Sequence, residues 1–259
     1  MDARDAVVET KAAIGALGGG FMLSREVKSL CEHHGLGPRE MYFRGRCGVL
    51  GEVDADVVMA ATAFFPSGHV RESWEGGRRL PAAEAAALYA SACHAWGRRR
   101  LGGLAGADRL SALLAVVADG SDVLGAPLFA GWRAMPRPAG GPELTAHLLH
   151  VVRELRAARH VTAVIAHGVD PLDATLVGAS GAGTPVPYID PSDVARFLAW
   201  PGPYPEPSPE AARRRAAAEE LTDDLMARAY AALGPAELTE LAGLLQEATR
   251  AASGAAAGR

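Results

Sequence analysis

Apolar residues recur at helical spacing along almost the whole chain, whereas runs with the alternation and β-branching of strands are scarce. Glycine and proline interrupt this periodicity at intervals that suit helices of ordinary length. A further short helix is expected within residues 124–135. The pattern predicts an all-α protein, with its other helices at residues 4–16, 25–34, 38–47, 55–64, 81–97, 107–118, 142–166, 171–178, 191–199, 209–232 and 235–252.

The segment PRPAGGP, residues 136–142, is the best candidate for a linker because proline and glycine disfavour a continuing helix. It divides the 259 residues into two halves of similar length, 1–138 and 139–259. With 49% hydrophobic residues, the chain can bury a substantial core. We therefore predict two helical domains that meet at this segment.

No apolar stretch is long enough to span a bilayer, and the N-terminal MDARDAVVETK has acidic residues where a signal peptide has basic ones. We expect a cytoplasmic protein with no membrane partner. The formal net charge of −4 gives no overall attraction to nucleic acid, so any contact with DNA has to be local.

Two short patterns resemble those of a MarR-like helix-turn-helix family of actinobacterial proteins. The first is a Tyr-Phe pair followed by Arg, Leu-Gly, Phe-x-Pro and Trp, matched here by Tyr42, Phe43, Arg46, Leu50, Gly51, Phe64, Pro66 and Trp74. The second is a histidine that precedes a Leu-Arg-Glu-His-Arg-Gly-Asp-Gly-His run, matched by His147, Arg153, Glu154, Arg156 and His160. The resemblance covers roughly residues 10–250 and implies a winged-helix-like helical fold, with the winged-helix-like part in residues 139–259.

The chain departs from the second pattern at Leu155 and at residues 157–159, where the family has an inner histidine and Gly-Asp-Gly. The break that the family pattern suggests is therefore expected to be an unbroken helix here. Since fold does not fix function, the resemblance alone does not establish DNA binding.

A stripe of titratable residues lies on one face of the helix predicted at 142–166. At 100° per residue, Glu143, His147, His150 and Glu154 fall within about 60° of arc, on the shoulder of the apolar face. The spacing is compatible with a solvated face stabilised by i,i+4 pairs, with an acid–base or anion pocket, or with a metal site. The sequence predicts no cofactor; a metal, if bound, would use His147, His150 and Glu154.

His160 lies on the side of the helix that carries Arg153 and Arg156, and such a cluster favours an anion. His69 follows a proline break, and Arg46 lies on an earlier predicted helix, residues 38–47. We predict that Glu154, His147 and His160 are catalytic, Glu154 as the proton acceptor and His147 as its partner. Substrate binding is assigned to Arg46, His69, Arg153 and Arg156.

DNA binding is predicted to be unlikely. The candidate recognition helix, residues 190–200, has two aspartates and one arginine, and the following PGPYPEPSPEA is acidic and proline-rich where a basic wing is needed. We therefore favour a biosynthetic enzyme that uses acid–base chemistry. Its polar pocket is expected to lie between the two halves and to bind a small, anionic molecule. The alternative is a MarR-like, ligand-responsive regulator that binds DNA as a homodimer; the leucines of the closing helix suit a core or a dimer seam equally.

Overall fold

The computed structural model describes residues 1–178 and 190–257. Helices account for most of these residues and none of them lies in a β-strand, which confirms the predicted all-α class. A turn of 3-10 helix, Gly48–Leu50, follows the third helix. The helices of the first half are α1 (Ala3–Gly19), α2 (Arg25–His34), α3 (Pro38–Cys47), α4 (Ala55–Thr62), α5 (Ser67–Gly76), α6 (Ala82–Leu101), α7 (Ala107–Asp119) and α8 (Pro127–Ala134).

The second half begins with a long helix whose first two residues are the last two of the predicted linker, residues 141–142. The segment compared with a wing, residues 201–211, contains no strand, and its last three residues begin the next helix. The helices of this half are α9 (Gly141–Ala166), α10 (Pro171–Gly178), α11 (Pro191–Phe197), α12 (Pro209–Tyr230) and α13 (Pro235–Ala257).

Capping residues explain why several helices begin and end where the sequence predicts. The hydroxyl of Ser24 accepts a hydrogen bond from the Val27 amide at the start of α2. Gly35 ends α2 in the left-handed conformation, with φ of 62°, which glycine adopts without steric cost. Helix α9 runs unbroken through residues 157–159, as the departure from the family pattern led us to expect.

Helix α5 was not predicted. It is short, it contains Gly68, and Pro66 at its N-cap offers no side-chain oxygen to the first amides. Burial of Val70 and Trp74 provides the stabilisation that the local sequence does not supply.

Helix α9 is the centre of the main core and packs against α1, α6, α7, α8 and α12. Two glycines allow the closest approaches. An added Cβ on Gly18 of α1 would lie 2.5 Å from the carbonyl oxygen of Leu149, and one on Gly97 of α6 would lie 2.5 Å from that of Pro142. Side chains from both halves of the chain form this core. The division into domains 1–138 and 139–259 stays a prediction.

Helices α3, α4 and α5 surround a smaller hydrophobic cluster that includes Phe43, Phe65 and Trp74. A four-residue turn, 63–66, joins α4 to α5, and the two helices pack on each other. Two helices joined by a turn of this length match the general helix-turn-helix arrangement.

The leucines of α13 belong to the core. Leu238, Leu241 and Leu245 are buried against α1, α6 and α7, which favours the core over the dimer seam for these side chains. Among the described residues, no helix is both long enough and apolar enough to cross a membrane.

Candidate functional site

The titratable stripe on α9 is buried. His147 and His150 have no exposed surface and Glu154 is 1% exposed, because α1, α3, α6 and α8 cover this side of the helix. The solvated-face alternative is therefore wrong for these three residues. Glu143, at the start of α9, pairs with Arg98 instead of with His147.

Glu154 forms a two-pronged ion pair with Arg46 of α3. The guanidinium donates from Nε and Nη2 to the two carboxylate oxygens, at 2.9 and 2.8 Å. Arg153 donates to Oε1 at 2.9 Å. Burial alone would raise the pKa of Glu154, but Arg46, His150 and Arg153 outweigh it and lower this pKa to about 2. A carboxylate held in this way is a structural anion and a poor proton acceptor at neutral pH.

The two histidines of the stripe are neutral. The ring Nδ1–H of His150 donates to the carbonyl oxygen of Gly18 at 3.1 Å, and its Nε2 lies 3.8 Å from Oε1 of Glu154. His147 Nδ1 lies 3.3 Å from Nε2 of His94. Burial lowers the pKa of His150 to about 3 and that of His147 to about 4.

The metal alternative fails on geometry. Within the ranges 1–178 and 190–257, no three His, Cys, Asp or Glu side chains are grouped so that they could hold a metal ion. His147, His150 and Glu154 are directed to different partners, namely His94, Gly18 and Arg46. They therefore do not form the ligand set that their helical spacing allowed.

A cavity of about 260 Å³ lies beside this stripe, on the next face of α9. Four of the predicted site residues line it: Arg46, Arg153, Arg156 and His160. Glu154 does not; it faces a separate space of about 30 Å³, which has room for one water molecule. His147 is not in the wall of either cavity.

His69 is also absent from the wall. It lies half-buried on α5 with its ring 6.1 Å from that of Phe43. Burial lowers the pKa of His69, so this side chain is neutral. The substrate-binding role assigned to His69 and the catalytic roles of Glu154, His147 and His160 stay predictions, of which only that of His160 concerns a residue in the cavity wall.

Sequence reasoning missed a large part of the cavity wall. The aromatic side consists of Tyr42, Phe64, Phe65 and Phe197, and the charged side also contains Arg39, Arg215 and Glu219. These residues come from α3, the α4–α5 turn, α11 and α12, so only tertiary packing brings them together. The signals available in the sequence were the adjacent pair Phe64-Phe65 near the end of a predicted helix and the i,i+4 pair Arg215–Glu219.

The cavity wall carries an excess of positive charge. It contains five arginines and one carboxylate, Glu219; two carboxylates outside the wall, Glu154 and Asp223, also contact these arginines. Glu219 accepts from Arg215 at 2.9 Å and from Arg156. Burial would raise the pKa of Glu219, but Arg156 and Arg215 lower it to about 2, so its charge is already balanced.

The turn of the α4–α5 unit is part of this cavity. Ala61 and Thr62 end α4, and Phe64 and Phe65 lie in the turn; all four line the wall. The Phe64 ring lies 5.5 Å from that of His160, so the turn contacts α9 directly. A molecule in the cavity would therefore touch the segment that sets the angle between α4 and α5.

The helix-turn-helix formed by α4 and α5 is distinct from α11, the recognition helix predicted from the sequence. Helix α11 follows α10 only after residues 179–190, which is far longer than a three- or four-residue turn. Helix α5 follows α4 after such a turn and exposes Ser67, Gly68 and Arg71 as well as Glu72 and Glu75, and Arg71 pairs with Asp56 of α4. The acidic character of α11 therefore does not argue against DNA contact through α5.

Comparison with known proteins identifies a family to which the chain is similar. Residues 8–258 match the model of a helix-turn-helix family. No curated protein and no solved structure matches the chain. The family match overturns the prediction that DNA binding is unlikely, which depended on the composition of α11 and of the segment after it. A match over nearly the whole length is decisive: the chain belongs to this helix-turn-helix family.

Proposed function

We propose that the protein is a ligand-responsive DNA-binding regulator. It binds a small organic anion in the arginine-lined cavity, and the bound anion biases the position of α5 relative to α4. The observation that carries this proposal is that the turn between these helices, with Phe64 and Phe65, forms one wall of the cavity. The family match supports a helix-turn-helix scaffold. We propose in addition that the regulator is MarR-like, because its two sequence patterns resemble that family.

Charge and shape support an anionic ligand with an apolar part. Five arginines in one recess favour an anion, and arginine suits carboxylate and phosphate oxygens because it donates in pairs. The rest of the wall includes aromatic and aliphatic side chains from α3, the turn and α11. A ligand that spans both walls would contact α9 and the turn together.

A bound ligand can shift the equilibrium between two arrangements only by as much as its affinity for them differs. Contact with Phe64 and Phe65 gives the ligand such a difference, because any rotation of α5 about the turn moves these rings. A ligand in a cavity enclosed by α9, α11 and α12 alone would not touch the turn. Its affinity would then not depend on the position of α5.

The biosynthetic enzyme predicted from the sequence is the second candidate. Its supporting observation is His160, a neutral imidazole in the wall of the cavity. Glu154, the proton acceptor in that prediction, is held by Arg46 and does not line the cavity, so we rank the enzyme below the regulator.

The test is selection of DNA by the purified protein from fragmented genomic DNA of its source, followed by sequencing and by fluorescence anisotropy on the enriched fragments. We expect enrichment of one sequence pattern and sub-micromolar affinity at physiological salt. Arg71→Ala, on the exposed face of α5, should weaken binding about tenfold if this side chain contacts a base. Arg250→Ala, an exposed change on α13, is the matched control and should leave affinity unchanged.

Failure to enrich any sequence would refute the regulator. An equal effect of the two arginine changes would refute the assignment of α5 but not DNA binding itself. For the ligand response, anisotropy is repeated with phenylacetate as a probe anion, and Phe64→Leu should reduce any effect of the probe on DNA affinity.

A further inference from the structure

His160 is the one imidazole in the described part of the cavity wall, and its hydrogen bonding fixes which nitrogen carries the proton. Its Nδ1 lies 2.9 Å from the hydroxyl of Thr222 on α12. That hydroxyl lies 2.7 Å from the carbonyl oxygen of Ala218, to which it donates its single proton. The Thr222 oxygen therefore accepts from His160, so Nδ1 is protonated.

A second contact points to the same tautomer. Oε2 of Glu219 lies 3.7 Å from Nδ1 of His160. A proton on Nδ1 is attracted to this carboxylate, whereas a lone pair there would be repelled by it. Both neighbours of Nδ1 come from α12, so one helix sets the tautomer.

The imidazole is neutral, which leaves Nε2 with a lone pair. Burial and the nearby Arg215 lower the pKa of His160 to about 3, and its side chain is 11% exposed. Other side chains in the wall mainly offer donors. The five arginines donate, and Tyr42 accepts from Arg46 at 2.9 Å, so its own hydroxyl proton is available as well. Nε2 of His160 is thus an acceptor beside these donors. The wall's other acceptors are Glu219, which already accepts from two arginines, and the hydroxyls of Thr62 and Thr175.

We propose that Nε2 of His160 is a binding subsite for a hydroxyl or amino group of the ligand. The ligand class is an organic anion with a hydrogen-bond donor separate from its acidic group. An anionic group cannot occupy this position, because two acceptors would face each other; it is directed to the arginines instead. This inference rests on the proposed function in one respect only, namely that the cavity binds an organic anion.

The neighbouring ring defines the rest of the ligand. Phe64 lies 5.5 Å from His160 with the two planes inclined by 31°, and Phe65 and Tyr42 continue the aromatic wall. A cavity of about 260 Å³ lies just below the usual lower limit of about 300 Å³ for ligand pockets. A molecule with one aromatic ring, a carboxylate and a hydroxyl meets these requirements.

Binding of five probes tests the subsite: phenylacetate, its 2-, 3- and 4-hydroxy derivatives and 4-methoxyphenylacetate. Calorimetry or ligand-observed NMR gives each affinity. We expect at least one hydroxy isomer to bind about 3- to 10-fold more tightly than phenylacetate, the gain typical of one neutral hydrogen bond. The methoxy compound should bind no more tightly than phenylacetate. His160→Phe keeps a ring beside Phe64 and should abolish the hydroxyl advantage while phenylacetate affinity stays within about twofold.

Thr222→Val provides a second variant, since valine has nearly the shape of threonine without the hydroxyl. It should also reduce the hydroxyl advantage, because Nδ1 loses the acceptor that holds its proton. Long-range ¹H–¹⁵N NMR of the wild-type protein reports the tautomer directly. An Nε2–H tautomer or a doubly protonated ring near pH 7 would overturn the proposal without any variant having to fold.

The outcomes separate this inference from the proposed function. If phenylacetate binds and Arg156→Met weakens it, but no hydroxy isomer binds more tightly, the subsite is refuted and the anion cavity stands. If the hydroxyl advantage persists in His160→Phe, another acceptor is responsible and the inference is wrong. If no probe binds at about 10 mM, a concentration that detects even millimolar affinity, the anion cavity itself is refuted.

Discussion

Replacement of Glu154 by glutamine should be among the most destabilising single changes in this chain. Arg46 is 5% exposed and Glu154 is 1% exposed, and two charge-assisted hydrogen bonds join them. Glutamine has nearly the same shape but no charge, so it leaves a buried guanidinium without its counterion. Loss of one partner of a buried ion pair typically costs about 3–5 kcal/mol.

The lower end of that range is expected for glutamine because its carbonyl oxygen still accepts one hydrogen bond from Arg46. A loss of about 3 kcal/mol is a large share of the roughly 5–15 kcal/mol that stabilises a typical domain. With a urea dependence of about 3 kcal/mol per molar, the midpoint of unfolding should fall by about 1 M. Circular dichroism in urea measures this midpoint.

Two further variants separate charge from packing. Replacing the pair together, Arg46→Met with Glu154→Leu, should recover most of the loss because neither charge is then buried. Glu210→Gln, at an exposed pair with Arg213, is the matched control and should leave the midpoint unchanged. A Glu154→Gln midpoint within about 0.2 M of the wild type would refute the argument, since it would mean that Arg46 needs no counterion.

Three further predictions concern stability and packing. Stability should fall steeply as the pH drops below about 6.5, because His147, His150 and His160 are neutral in the folded protein, with pKa values of about 4, 3 and 3, and take up protons on unfolding. Each contributes about 1 kcal/mol per pH unit until the pH reaches its folded pKa, so His147→Gln should lower the slope measured by urea titrations between pH 6 and 4.5 by about 1 kcal/mol per pH unit; an unchanged slope would contradict the pKa shift. Gly18→Ala should cost about 1–3 kcal/mol in the same urea assay, since its Cβ would lie 2.5 Å from the Leu149 oxygen. Gly243→Ala, with no atom near its added Cβ, should instead raise stability by about 1 kcal/mol; destabilisation by both changes would show that helix packing at Gly18 is not the cause.

The helices could be predicted from the sequence wherever the local signals agree with the tertiary structure. Helix α2 has Ser24 before it and Gly35 after it, and both of its ends lie at the predicted residues. Helix α5 has Pro66 at its N-cap and a glycine within, and it forms because Val70 and Trp74 are buried. Local propensity contains no information about that burial, which the chain gains only when α3 and α4 pack beside it.

The candidate site could be predicted in part because helical geometry determines which side chains of α9 share a face. His147, His150 and Glu154 do share one, and Arg153, Arg156 and His160 line another. Helical spacing does not show which other elements cover each face of α9. The partner of Glu154 lies 108 residues earlier in the sequence, and no spacing rule within α9 could identify Arg46 as that partner.

The two polar faces of α9 differ in how their charges are paired. The buried face neutralises its charges internally, since Glu154 is balanced by Arg46 and Arg153, and His150 is neutral. The cavity face has five arginines and one carboxylate, Glu219, which pairs with Arg156 and Arg215. Arg46 belongs to both, because its guanidinium is held by Glu154 and also lines the cavity. Glu154 thus fixes the orientation of a cavity arginine before any ligand arrives, which reduces the entropy that the ligand has to overcome on binding.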